Sequence, residues 1–410
     1  MRVAARRLVL IACVALAGPA LAGCAKSGSS TPTGNAEVVS PTPPATGCGS
    51  FAVPPVRDES GVIATLPKEY RDAYAGIHVL PSKWASWKPD HPGPYNVQIV
   101  WSGLVNSFIT DLQNDIKSGL EKSGKVANVE VTNTANNIDT AQQIQLLQAA
   151  IRKNPDLIVL LPLQPDAFTA GVEQAGAQGI PVISVINSVP SPSAVSVDIN
   201  SYLSAAQVTS ILARSLHGKG SVLTVGGYPG TSPNDDGLRG VDAVLKKCPG
   251  MKKAGAVIGS FTNGPAKQVT TQFLATHPAP VAAAVQVGGM GPGVIDAFKS
   301  VGRPLPALGD LGASKGTLGY WLNNQKTFRA AGTGQSAPGT ASAVVNVATR
   351  MLDGKGPRVN EFIPPVVLIS NENLKDWAKP EWNLATPGVA DGPPNSFMTD
   401  EYASRLFSHQ

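Results

Sequence analysis

Charge is what this 410-residue chain has least of: Asp, Glu, Lys and Arg make up 15% of it, against about 25% in an ordinary globular protein. So low a fraction fits an extracellular protein whose surface is polar but uncharged. Aromatic residues are also few, at 6%. The five histidines are scattered as His78, His91, His217, His277 and His409, and His277, just before Pro278, reads as a helix-end residue. No HExxH, no closely spaced Cys/His set and no Gly-x-Ser-x-Gly elbow occurs, which removes the common metal centres and nucleophile sites. The glycine pairs Gly226-Gly227 and Gly288-Gly289 match neither phosphate-cradle pattern and read as tight turns. There is no Lys/Arg cluster to meet nucleic acid or anionic lipid. Nor does any stretch reach the roughly 18 apolar residues of a membrane-crossing helix. The expectation is therefore a protein with no catalytic residues, metal, cofactor or nucleic-acid partner.

What is present is a large apolar fraction, 42%, together with 42 glycines and 35 prolines. That composition buries a sizeable core, and at roughly 100 to 200 residues per domain it fits two or three globular units. The +5 formal charge overstates basicity, because Arg2, Arg6 and Arg7 stand in an acid-free leader; without them the 33 basic residues become 30, against 28 acidic. Behind these arginines, residues 8–21 form an uncharged run too short to cross about 30 Å of hydrocarbon, so residues 1–23 read as a secretory signal.

Leu21-Ala22-Gly23-Cys24 resembles the lipobox of bacterial lipoproteins, and the resemblance implies that Cys24 carries lipid; an ordinary signal peptide with an incidental cysteine is the alternative. Residues 24–50, rich in Ser, Thr, Pro and Gly, cannot offset their ordering entropy by burial and are expected to be a loose tether. In an oxidising compartment Cys48 and Cys248 have one intramolecular pairing open to them, closing a loop of about 200 residues; the alternative is two free thiols. Pairing would pin the end of the tether to the globule.

From Tyr95 onward, strand-like and helix-like segments alternate, the arrangement of a parallel sheet covered on both faces. Strands are expected at 97–101, 126–131, 157–161 and 180–185, with helices at 107–122, 140–152 and 167–178 between them. A second series opens with a helix at 201–216. It continues with strands at 221–225, 256–259, 282–287, 305–309 and 328–332, and helices at 235–247, 266–274, 294–300, 315–324 and 337–352. The fold class is α/β: two doubly wound parallel-sheet lobes meeting at a cleft by the carboxyl ends of their strands.

Across roughly residues 95–370 the chain resembles the type I periplasmic binding proteins of ABC transporters, in particular the ribose-binding-like sugar receptors. The likeness rests on Ser102-Gly103-Leu104-Val105-Asn106-Ser107-Phe108, Gly179-Ile180-Pro181-Val182-Ile183, Gly230-Thr231-Ser232, Thr276-His277-Pro278 and Ala330-Ala331-Gly332-Thr333-Gly334-Gln335, in that order. It implies two lobes joined by a three-crossing hinge, here near Asp198, Gln335 and Pro365, closing on a solute. One lobe is then 95–198 with 336–365, and the other 199–335 with 366–378. It further implies delivery of the solute to an ABC permease, or, in a sensory lipoprotein, presentation to a signalling receptor; the protein is expected to work as a monomer. Matching positions place Asn106, Phe108, Phe261 and Gln335 in the pocket, with Ser102 beside them. An aromatic face stacks on a sugar ring, and an amide both donates to and accepts from hydroxyls. Core packing is the alternative for the two phenylalanines, and loop or hinge hydrogen bonding for the two amides.

The sequence departs from the family where charge is expected. The family's Asp-Arg pair is here Ile186-Asn187, its arginine falls on Gly237, its asparagine on Val287 and its aspartate on Leu311, with Asp310 one place off. Charged hydrogen bonds are about twice as strong as neutral ones, so their loss argues against a small, fully hydroxylated pentose and for a sugar-like solute that is larger or less polar. Asn187 and Asp310 are candidates to restore polarity, as are Asn234, Asp235, Asp236 and Arg239 unless they serve as caps or surface groups. Trp101 is either a core residue or a further wall. Residues 51–94, with Tyr70, Tyr74, Trp84 and Trp87, are expected to wrap the globule, and the tail 379–410 carries a short helix-like 400–407.

Overall fold

Short runs of aliphatic residues such as Leu157–Leu160 and Val182–Val185 are buried along their whole length, as strands covered by helices on both faces must be. They belong to a computed structural model that describes residue 40 and residues 42–135, 139–393 and 397–408. The expected signal segment, Cys24 and residues 24–39 of the expected tether lie outside the described residues, as does His409.

The N-terminal segment contributes β1 (Arg57–Asp58), α1 (Lys68–Asp72) and β2 (His78–Val79), the two strands pairing in parallel. The first large unit then runs β3 (Tyr95–Trp101), α2 (Ser107–Lys122), β4 (Val126–Asn133), α3 (Thr140–Arg152), β5 (Leu157–Leu160), α4 (Pro165–Ala177), β6 (Val182–Val185) and β7 (Ala194–Val197). The second runs α5 (Ser201–Ser215), β8 (Gly220–Gly226), α6 (Ser232–Leu245), β9 (Met251–Ile258), α7 (Asn263–Thr276), β10 (Ala283–Gln286), α8 (Gly291–Ser300), β11 (Ala307–Leu311), α9 (Lys315–Asn323) and β12 (Ala330–Thr333). The chain returns to the first unit through α10 (Ala337–Leu352) and β13 (Glu361–Phe362). It goes back to the second with β14 (Leu368–Ile369) and α11 (Leu374–Trp377), and ends in α12 (Asp400–Arg405).

Two six-stranded sheets result, ordered β4-β3-β5-β6-β7-β13 and β9-β8-β10-β11-β12-β14. Every pairing is parallel except that of β14 with β12. Each sheet reverses its order beside its first strand, β3 or β8, the switch point where doubly wound sheets open a crevice. The chain passes between the sheets after β7, after β12 and after β13.

Several sequence expectations need correction. Strand β7 was not among the expected strands. Helix α6 starts three residues earlier than expected, with Pro233 in its first turn where proline's missing N–H costs nothing. Strand β11 extends to Leu311, so Asp310 lies within a strand and not in a loop. The end of the expected tether is packed: Gly49 and Ser50 are buried, Gly49 O accepts from Ser210 Oγ at 2.5 Å, and Cys48 is disulfide-bonded to Cys248.

The N-terminal segment and the tail each touch both lobes. Cys48 and Phe51 pack with the α5 and α6 core, whereas Val56, Tyr70, Tyr74 and Trp84 pack with the core of the first sheet. Trp382, Leu384 and Val389 join the core around α8 and α9, while Phe397, Tyr402 and Phe407 join that of the first sheet. The two segments meet at the third crossing. There the Tyr74 and Tyr402 hydroxyls lie 2.7 Å apart, Tyr74 donates to Glu361 O, Tyr402 donates to Ile363 O, and Ile363 N donates to Tyr74 Oη.

Candidate functional site

Between the lobes lies a cavity of about 370 Å³, within the roughly 300–1,000 Å³ of small-molecule sites. It is walled by the loops at the carboxyl ends of the strands. From the first lobe come Ser102, Asn106 and Phe108 after β3, Leu161 after β5, and Ile186 with Asn187 after β6. From the second come Tyr228 after β8, Phe261 after β9, Val287 after β10 and Leu311 at the end of β11. Ser201 and Gln335 stand at two of the crossings, and residues 386–389 of the tail close one more side. Among the described residues, no charged side chain lines this cavity. A charge buried against this lining would stand without a counter-charge.

Asn106 is fixed twice over. Its Oδ1 accepts from Ile109 N at 3.0 Å, capping α2, and its Nδ2 donates to Phe261 O at 3.1 Å across the cleft. Asn187 is similarly committed, with Nδ2 donating to Pro162 O at 2.9 Å and Oδ1 accepting from Ser232 N of the opposite lobe at 3.1 Å. These two amides latch the lobes together, and each keeps only part of its hydrogen-bonding capacity for a ligand.

Phe261 sits at φ +54°, next to Ser260 at +55°, a left-handed pair that non-glycine residues adopt only when their surroundings compel it. What compels it is a slot: a Cβ on Gly227 would lie 2.0 Å from the ring, and one on Gly288 2.5 Å from it. Tyr228 meets the ring edge-on at a centroid distance of 5.7 Å. The glycine pairs that read as turns in the sequence are thus the bed of an aromatic wall.

Gln335 and Phe108 also line the cavity, and no hydrogen bond to the Gln335 amide forms among the described residues. Ser102 lines it too, with only a long 3.5 Å bond from its hydroxyl to Gly103 O. Asp310 does not. It is fully buried behind the wall, its carboxylate receiving Gln286 Nε2 and, at 3.2 Å, Ser314 Oγ, and burial pushes its carboxyl up to about 6. Its expected place among the ligand-binding residues is therefore corrected: it braces Ser314, which lines the cavity. Trp101 is likewise wholly buried, donating to Ile109 O, and is core. Asn234, Asp235 and Asp236 lie in the first turns of α6 and do not line the cavity; Asn234 Oδ1 accepts from Gly227 N at 2.8 Å and so holds the slot for Phe261. Arg239 pairs with Asp236 on the surface.

Sequence reasoning missed Ser201, Tyr228 and the tail. Ser201 is 5% exposed and lines the cavity, and its buried hydroxyl has no partner among the described residues. Its position at the first helical residue after a crossing was a usable signal. Nothing in the local pattern of residues 386–389 connects them to a site 50 to 280 residues away in sequence.

Outside the cavity, Asp90, His91 and Asp156 gather closely enough to hold a cation. Both His91 nitrogens already face acceptors, Pro92 O at 3.0 Å and Asp156 Oδ1 at 2.8 Å, which raises its pKa. Among the described residues, no helix is long and apolar enough to cross a membrane.

At the hinge, Ser188 Oγ lies 2.9 Å from Asp198 and 2.7 Å from Glu361, both buried. One hydroxyl proton serves only one of them, so the second contact needs a protonated carboxyl. Burial pushes Asp198 up to about 7 and Glu361 well above its ordinary range, with the Asp198 charge adding to the latter.

Comparison with known proteins agrees with this architecture. The family described as periplasmic binding protein domain matches residues 97–356. The xylitol-binding protein of Mycolicibacterium smegmatis is 28% identical over 276 residues, 66% of this chain and 76% of that protein. The ribose import binding protein of Bacillus subtilis is 24% identical over 234 residues, 56% of this chain and 74% of that one. Among solved structures, an ABC transporter solute binding protein from Bacillus halodurans with bound myo-inositol superposes with a TM-score of 0.62 at 20% identity, covering 70% of this chain and 98% of its own. Another from Thermobispora bispora has the same TM-score at 22% identity, covering 70% and 90%.

Proposed function

This chain belongs to the periplasmic binding protein domain family, whose relatives here are solute-binding proteins of ABC transporters and not enzymes, and from that premise we propose its cargo and its setting. The protein captures an uncharged, sugar- or polyol-like solute between its lobes and hands it intact to a permease. It does so as a monomer held to the outer face of the membrane by lipid on Cys24.

The observation that carries the reading is the interlobe cavity whose lining holds aromatic faces, amides and hydroxyls but no charge. A neutral hydroxylated solute is the class whose groups all find partners there: Phe108 and Phe261 for ring faces, and Ser201 and Gln335 for hydroxyls. Ligand bound to both lobes shifts the population toward the closed form.

The test is a thermal-shift titration with xylitol, D-ribose and myo-inositol, backed by calorimetry. At least one is expected to raise Tm, by the mass action of binding to the folded state alone. Gln335→Ala and Ser201→Ala should each weaken that solute roughly tenfold, the value of about one lost hydrogen bond. No stabilisation by any sugar or polyol would sink the proposal. Separately, Cys24→Ala should move the protein from the membrane fraction to the soluble one.

A further inference from the structure

Residues 386–389 bring Thr386, Pro387, Gly388 and Val389 to the cavity from far along the chain, and they are built in firmly. Val389 bridges Ser314, Lys315 N donates to Gly388 O at 3.0 Å, and Ala390 N donates to Ala313 O at 2.9 Å. Upstream, Trp382 lies against Gly319 so closely that a Cβ there would sit 2.4 Å from it, and Asn323 Nδ2 donates to Pro380 O at 3.0 Å. The tail is thus a fixed part of the second lobe's rim.

The surface it completes is more apolar than polar, with the hydroxyls of Ser314 and Thr386 beside the apolar groups. Gln286 and Asp310 are partners in the β10–β11 register, so the next residues, Val287 and Leu311, emerge side by side at the strand ends, both on the cavity. Pro292 at the start of α8 lines the cavity too, and the tail adds Pro387 and Val389. Five apolar side chains from four separate elements thus line this lobe's part of the cavity. The unpartnered hydroxyl of Ser201 and the open amide of Gln335 stand instead where the chain crosses between lobes. A solute hydroxyl pressed against these five side chains would lose its water without gaining a partner from them, whereas an alkyl or aryl group there gains by burial.

We propose that the C-terminal tail completes an apolar subsite, formed by Val287, Leu311, Pro292, Pro387 and Val389, that selects a neutral amphipathic solute: a sugar or polyol bearing an apolar substituent. This rests on the sugar-binding reading, with the hydroxylated end held by Ser201 and Gln335, and adds what the other end must be.

The experiment compares matched pairs on the purified full-length chain by calorimetry: D-glucose with n-butyl and phenyl β-D-glucopyranoside, and D-xylose with phenyl β-D-xylopyranoside. The substituted member of at least one pair is expected to bind at least tenfold more tightly. Val389→Asp and the milder Pro387→Ser should lower affinity for the substituted member at least tenfold more than for its parent sugar, in variants whose unliganded Tm shows them folded. Equal or tighter binding of the parent sugars overturns the subsite and leaves the sugar-binding reading standing. An equal loss for both members of a pair in the variants also overturns it, since that is the mark of a merely structural tail. If neither these compounds nor xylitol, D-ribose or myo-inositol binds, both readings fail together.

Discussion

Phe261 shows how one residue's conformation depends on what its neighbours lack. Its ring occupies a place that only Gly227 and Gly288 leave free, and its backbone accepts a left-handed angle to reach it. Gly227→Ala should therefore expel the ring and abolish measurable ligand affinity. Phe261→Ala should weaken binding roughly tenfold or more, because the aromatic face goes. Calorimetry with the solute identified by thermal shift checks both. Asp198 carries a prediction about pH. A carboxyl raised from about 4 in the unfolded chain to about 7 in the folded one contributes stability that is fully present below pH 4 and is lost as pH rises through 7. Tm should accordingly fall by a few degrees between pH 5 and pH 8, and Asp198→Asn should flatten that slope; an unchanged slope would show that the carboxyl does not govern it.

At the scale of elements, the two segments outside the family resemblance act on the part that is supposed to move. Tyr74 and Tyr402 pin the main chain at Glu361 and Ile363, where it leaves the first sheet. Tyr402→Phe strands Ile363 O in the interior and should cost about 1–3 kcal/mol in chemical unfolding. The alternating βα body was legible in the sequence because buried parallel strands read as continuous apolar runs and the covering helices as 3.6-residue stripes; helix α10 matches its expected span of 337–352. Strands β13 and β14 were not, being two residues each and specified by pairing alone. The candidate site was legible in part for a related reason. Loop positions after β3, β9 and β12 follow from the alternation, which brings Asn106, Phe261 and Gln335 to the cavity. The burial of Asp310 hangs on a strand end two residues further along, and the arrival of Thr386 and Val389 on packing that no local pattern encodes.

For the whole molecule, the Cys48–Cys248 disulfide anchors the N-terminal segment to the turn between α6 and β9, while residues 56–87 of the same segment grip the other lobe. The tail does the converse, so five stretches of chain join the lobes where the family needs three. A link closing a loop of some 200 residues stabilises chiefly by restricting the unfolded chain, and Cys48→Ser should lower stability by about 2–4 kcal/mol. It should also free one end of the segment. In X-ray scattering the ligand-dependent change in radius of gyration is expected to be larger for the variant than for the parent; equal changes would mean that the segment restrains nothing.

Such fastening bears on time as well as on amplitude. If the fastenings do narrow the opening, exchange would be governed by how often they breathe and less by how well the cargo fits. The intact protein should hold its passenger long after dilution and let it go sooner once a thiol reductant has cut the bond at Cys48, which would make it suited to hoarding a scarce compound rather than to rapid turnover of an abundant one.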